Sequence, residues 1–181
     1  MKNNILKAEA LNELKALLGP ENIKENEVMA AHLTMEVGGE ANYFLTPATA
    51  ESLKEAMAIL KREAMPCYIL GKGSNVIVRD EGFDGTVVHI GDNMSDIVIE
   101  GNVCRAQAGA LLKDVSEKIA DASLTGFEFA CGIPGSVGGA ITMNAGAYDS
   151  DMSHIVKEVT LLRDDGEIIT VKGSDMGFGY R

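Results

Sequence analysis

Two apolar runs, Cys67 to Leu70 and Val76 to Val78, are separated by Gly71, Lys72, Gly73, Ser74 and Asn75. The pattern predicts a strand, a tight glycine turn and a second strand over 75–79. Where glycines carry no Cβ, successive backbone N–H groups can face one side. Such a row forms a concave nest for an anion, most often a phosphate. The dinucleotide fingerprint needs a third glycine where Val76 stands, and no GxxxxGK[ST] run occurs. On this segment alone an ordinary β-turn and a ligand loop both stay open.

A second segment, Cys131 to Tyr148, repeats the theme, with glycines at 132, 135, 138, 139 and 146 set among apolar residues. That interleaving argues against a flexible linker. Pro134 is suited to open a helix near Gly135 whose free N–H groups face an anion. Gly138 and Gly139 inside it cost about 1 kcal/mol each against alanine. The favoured reading is that a ligand lies against them, over tight helix–sheet packing. Two nests suggest a ligand with a diphosphate.

Charge decides how an anion is held. Twenty-seven acidic residues against 16 basic ones give a net charge of −11. That disfavours nucleic acid and anionic membrane surfaces as partners. It leaves backbone N–H groups and helix ends, rather than a lysine patch, to bind an anion. The N-terminus reads as no signal peptide, and no apolar run approaches the ~20 residues of a membrane span. Cys67, Cys104 and Cys131 form no CxxC pair and read as buried free thiols of a cytoplasmic protein. His32, His89 and His154 have no metal-ligand spacing, so no metal site is expected.

The chain divides into an N-terminal helix within 1–20, a first lobe over 21–92 and a second over 93–181. Ile5, Leu6, Leu11, Leu14, Leu17 and Leu18 lie at helical spacing in a run expected from residue 4 to Gly19-Pro20. Residues 21–36 read as irregular. Ala41 to Leu45 read as a strand. Thr49 caps a helix with the stripe Leu53, Ala56, Met57 and Leu60. After strand 67–70 and the glycine turn come a turn at Gly82 to Gly85 and strand 86–90. In the second lobe, Glu100-Gly101-Asn102 and Asp164-Asp165-Gly166 mark two hairpins. Leu112, Val115 and Ile119 mark a helix between them.

Six segments in order resemble the FAD-binding part of the UDP-N-acetylenolpyruvoylglucosamine reductase family. They are Thr34 to Ala41, Leu70 to Asn75, Asp80 to Gly85, Ala108 to Ala110, Gly132 to Tyr148 and Gly179 to Arg181. The resemblance implies the two-lobed α+β FAD-binding domain of vanillyl-alcohol-oxidase type. It implies non-covalent FAD and NADPH as hydride donor. The substrate is a nucleotide sugar, UDP-N-acetylglucosamine enolpyruvate, reduced to UDP-N-acetylmuramate for peptidoglycan. Gly71, Lys72, Gly73, Ser74 and Asn75 are then expected at the FAD diphosphate. Gly109, Pro134, Gly135, Ser136, Gly138, Gly139, Asn144 and Gly146 are expected along the flavin side. Arg181 matches the family's active-site arginine and Tyr180 its neighbour.

The chain departs from the family pattern at His32, usually asparagine, and at Asp149, often glycine. Family members continue into a substrate domain with a serine proton donor and a late glutamate. The chain ends at Arg181, so on its own it is expected to be inactive. An oxidase or dehydrogenase of the same flavin fold, and a flavin-binding module without activity, are the alternatives.

Overall fold

The computed structural model describes residues 4–180. Its contacts divide the chain into two compact units, Met1–Met94 and Ser95–Arg181.

The first unit runs α1 (Ala8–Leu18), β1 (Ile23–Val28), β2 (Glu40–Leu45), α2 (Ala50–Arg62), β3 (Cys67–Leu70) and β4 (Phe83–His89). The sheet order is β1-β2-β4-β3. β1 is antiparallel to β2, while β2 and β3 both run parallel to β4. Alternation along the strands sends their side chains to two cores. Tyr43, Leu45 and Val88 meet Ala10, Leu14 and Leu18 of α1 and Ala56 and Leu60 of α2. On the other face Phe44, Val87 and Leu70 pack with Met29, Leu33 and Ala41. α2 starts where a local signal fixes it. The Thr49 hydroxyl accepts from Ser52 N at 3.0 Å, and Ser52 Oγ accepts from Thr49 N at 3.1 Å.

Three expectations fail in this unit. The first helix starts at Ala8, not residue 4. Asn4 N donates to Asp84 Oδ1 at 3.1 Å and Leu6 N to the Tyr43 hydroxyl at 3.2 Å, so the approach to the helix is tied down outside it. Residues 21–36 are not wholly irregular, because Ile23–Val28 form edge strand β1. Lys24, Glu25, Asn26 and Glu27 hide it, since an edge strand with exposed side chains carries no apolar alternation.

The third failure is the glycine turn. Residues 71–82 do not fold back as a hairpin, and 75–79 form no strand. β4 starts instead at Phe83 and runs parallel to β3, so 71–82 is a crossover of the length a parallel connection requires. It lies against residues 33–39. Thr34 N donates to Gly73 O at 3.1 Å and Gly39 N to Arg79 O at 2.9 Å. Val76 and Val78 pack on the Phe44 core, which accounts for the period-two pattern without a strand.

The second unit contains hairpin β5–β6 (Ile97–Glu100, Val103–Ala106), α3 (Leu112–Asp121) and α4 (Val137–Thr142). The short ladder β7–β8 (Gly146–Ala147, Ser150–Asp151) and hairpin β9–β10 (Glu158–Leu162, Ile168–Lys172) follow. The three ladders are separate and antiparallel. Leu112, Val115 and Ile119 form the buried stripe of α3 and pack with Phe127, Phe129, Val137, Ala140 and Met152. Of the cysteines, Cys67 and Cys104 are half-buried. Cys131 is exposed, because it lies on the rim of the glycine segment, not in the core. Burial pushes the Cys67 thiol up to about 11.

Candidate functional site

The loop Gly71–Asn75 leaves the carboxyl end of β3, beside the carboxyl end of its parallel neighbour β4. Ligands of open parallel sheets bind at such ends. Among the described residues, none of the five N–H groups from Gly71 to Asn75 donates to a protein acceptor. Gly73 is buried at φ +72°, and a Cβ there would overlap the His32 carbonyl oxygen. The nest is therefore seated directly on the 32–34 backbone. Lys72 and Asn75 are exposed, and Gly71 and Ser74 half-buried.

Beneath the loop lies a ring cluster that sequence spacing did not reveal. His32 stacks on Phe44 at 4.1 Å between centroids, and His89 lies 6.2 Å from His32 and 5.3 Å from Phe44. His32 Nε2 pairs with Glu27 Oε1 at 2.7 Å. Burial pushes Glu27 up, but hydrogen bonds from Lys24 and His32 outweigh it and leave the carboxyl below its ordinary range. Burial, reinforced by His32 and Lys72, holds His89 below its ordinary value, against the opposite pull of Asp92 and the Gly71 backbone. The only signal in the chain was His32 itself, standing where the family usually has asparagine.

In the second unit the structure joins segments distant in sequence. Leu112 N donates to Gly135 O at 3.0 Å, Val137 N to Ala110 O at 2.8 Å and Gly138 N to Ala108 O at 2.8 Å. These bonds stitch the loop holding buried Gly109 to Gly135, Ser136 and Gly138. They also correct the expected helix start. Gly135 N closes a tight turn onto Ile133 O at 2.9 Å, exposed Pro134 lies in that turn, and α4 begins only at Val137. The N–H groups of Val137 and Gly138 serve backbone carbonyls and are not free for an anion.

The glycines of this segment separate by role. A Cβ on Gly138 would stand 3.0 Å from the Ala108 Cβ and 3.2 Å from its carbonyl oxygen, so Gly138 packs closely against residue 108. A Cβ on Gly146 would come 2.5 Å from Ser150 O, within the β7–β8 ladder. Gly139 differs. It is exposed, and the only atom a Cβ would approach is Ser136 Oγ, at 3.5 Å. Ser136 is 2% exposed, and its buried hydroxyl has no hydrogen-bond partner among the described residues. A buried hydroxyl without a partner beside a glycine with an open face is a candidate polar contact within the second unit, since such groups are ordinarily satisfied. The Asn144 side chain, by contrast, is engaged by protein on both its nitrogen and its oxygen. Tyr180 is 91% exposed, and Arg181 lies outside the described residues.

In the first unit the row of unengaged N–H donors from Gly71 to Asn75 suits an anion. Comparison with known proteins points the same way. The family model described as "FAD binding domain" matches residues 41–172. A UDP-N-acetylenolpyruvoylglucosamine reductase of Clostridium botulinum (strain Alaska E43 / Type E3) is 50% identical over 159 residues, covering 88% of this chain and 52% of that protein. Among solved structures, UDP-N-acetylenolpyruvylglucosamine reductase from Thermus caldophilus superposes with a TM-score of 0.74 at 34% identity, over 86% of this chain and 54% of the other. An alkyldihydroxyacetonephosphate synthase reaches 0.72 at 15% identity over 99% of this chain and 37% of the other, a likeness of fold alone. The chain spans about half the length of the curated relatives it matches.

Proposed function

The chain belongs to the FAD binding domain family, with the α+β fold of the vanillyl-alcohol-oxidase-type flavoproteins, and from that premise we propose that it is the cofactor-binding part of an NADPH-dependent UDP-N-acetylenolpyruvoylglucosamine reductase. Its proposed place is cytoplasmic synthesis of the peptidoglycan precursor. The observation that carries the reading is the row of unengaged N–H groups from Gly71 to Asn75, in a chain 50% identical to such a reductase.

In this reading the Gly71–Asn75 nest holds the FAD diphosphate without asking a net-acidic chain for cations. Ser136 offers its buried hydroxyl to a polar atom of the cofactor, and Gly139 leaves room for close approach. Bound non-covalently, FAD supplies the relay of a hydride from NADPH to the enolpyruvyl double bond. Arg181, with Tyr180 beside it in sequence, pairs with the substrate carboxylate and stabilises the charge that develops next to it.

The test is the visible absorption spectrum of the purified protein after incubation with FAD and removal of excess. A flavin band that is released on denaturation supports the reading. Absence of a flavin band at saturating FAD removes it.

A further inference from the structure

Asn144 has a side chain with no donor left for a ligand. Its Nδ2 donates to Asp151 Oδ2 and to the Gly179 carbonyl, each at 3.1 Å. Its Oδ1 accepts from Ser153 N at 3.0 Å. Both amide protons are thus used and the oxygen already accepts one bond, and an asparagine carries no further donor. The backbone there has φ +41°, a left-handed conformation that asparagine tolerates better than most residues. The residue lies two positions past the end of α4, in the turn where Asn144 N donates to Ile141 O at 3.2 Å.

We propose that Asn144 is a positioning residue and not a cofactor contact: it clamps the segment 177–180 onto the end of the glycine segment and so fixes where Tyr180 leaves the fold. Three separate stretches converge on this one side chain: the residues after α4, the Asp151–Ser153 turn and the chain at Gly179. The turn is itself braced, because Asp151 caps it through Ser153 N at 3.0 Å. Hydrogen bonds from the Ser153 side chain and backbone, the electrostatic pull of nearby His154 and the hydrogen bond from Asn144 outweigh burial and hold the Asp151 carboxyl below its ordinary range. The clamp therefore anchors on an ionised acceptor, which strengthens the bond from Asn144. The catalytic consequence rests on the function proposed above: Tyr180 precedes Arg181, so the clamp holds the approach to that pair.

The experiment is backbone relaxation of the isotope-labelled 181-residue protein, wild type and two variants, paired with FAD titration. Asn144→Asp keeps the side chain's size, its acceptor and its tolerance of positive φ, but loses both donors. Asn144→Gly tolerates the backbone and removes the whole side chain. In both, order parameters for Gly177 to Tyr180 are expected to fall from about 0.85 to below about 0.6, with α4 unchanged. FAD affinity is expected to stay at the wild-type value. A segment as rigid in either variant as in wild type overturns the proposal. Weakened FAD binding with a rigid segment makes Asn144 a cofactor contact instead. Should the wild type bind no FAD, the function proposed above fails, while the relaxation data still decide the clamp.

Discussion

The Gly138 N–H donates to the Ala108 carbonyl at 2.8 Å, and the two residues approach so closely that a Cβ on Gly138 would stand 3.0 Å from the Ala108 Cβ. Gly138 therefore serves the fold, while its neighbour Gly139 faces open space. The two positions are expected to respond in opposite ways. Gly138→Val should destabilise the protein by about 1–3 kcal/mol through overpacking. Gly139→Ala should raise stability by up to about 1 kcal/mol, since alanine is the better helix former, yet weaken FAD binding. Thermal unfolding beside flavin titration separates the two effects.

Ser136→Ala tests the buried hydroxyl. Removing a polar atom that has no partner is expected to leave the cofactor-free protein as stable as wild type or about 1 kcal/mol more stable. FAD affinity should fall about fivefold, the loss of one net hydrogen bond. Destabilisation of the cofactor-free protein would mean that the hydroxyl is satisfied within the fold. The measurement is urea unfolding without FAD, followed by titration with it.

His89 gives a pH dependence of known sign. Its folded pKa is depressed by burial, then by His32 and Lys72, with Asp92 and the Gly71 backbone opposing. The unfolded chain therefore takes up a proton more readily than the folded one as pH falls below the ordinary value of 6.5. Stability should decline from about pH 7 downward, and less steeply in His89→Gln. Glu27 adds a loss at lower pH, because its depressed carboxyl stabilises the fold above its unfolded pKa and stops doing so as pH falls through the folded one. Unfolding free energies across pH 4.5 to 7.5 give the slopes directly. Equal slopes for wild type and variant would rule out His89 as their source.

The core gives a stability prediction independent of any ligand. Leu14 is fully buried between α1 and the sheet. Leu14→Ala should cost about 2–5 kcal/mol, as for other buried leucines. Equilibrium urea unfolding measures it.

How much was legible in the sequence follows from the range over which each signal acts. Thr49 and Ser52 lie three residues apart, so their capping box was readable, as were the hairpins at Gly101 and Gly166. The stripe Leu112, Val115, Ile119 was readable for the same reason. What failed depends on distant partners. Whether Gly71–Asn75 turns back or crosses over is decided by Thr34 and Gly39, more than thirty residues away. The polar edge strand Ile23–Val28 exists because β2 pairs with it. Asn144 looked like a cofactor contact by its place in a glycine-rich motif, and only the approach of Gly179 shows its other use. Ser136 was identified from the motif, but that its hydroxyl stands unpaired is a property of the packed chain.

Flavin titration with two ligands that differ only beyond the isoalloxazine and ribityl groups tests the nest most directly. The purified protein is titrated with FAD and with riboflavin, following quenching of flavin fluorescence. If the Gly71–Asn75 N–H groups hold the diphosphate, FAD should bind at least about 100-fold more tightly, the worth of two charge-assisted hydrogen bonds. Equal affinity for the two, or no saturable binding of either, would contradict the assignment.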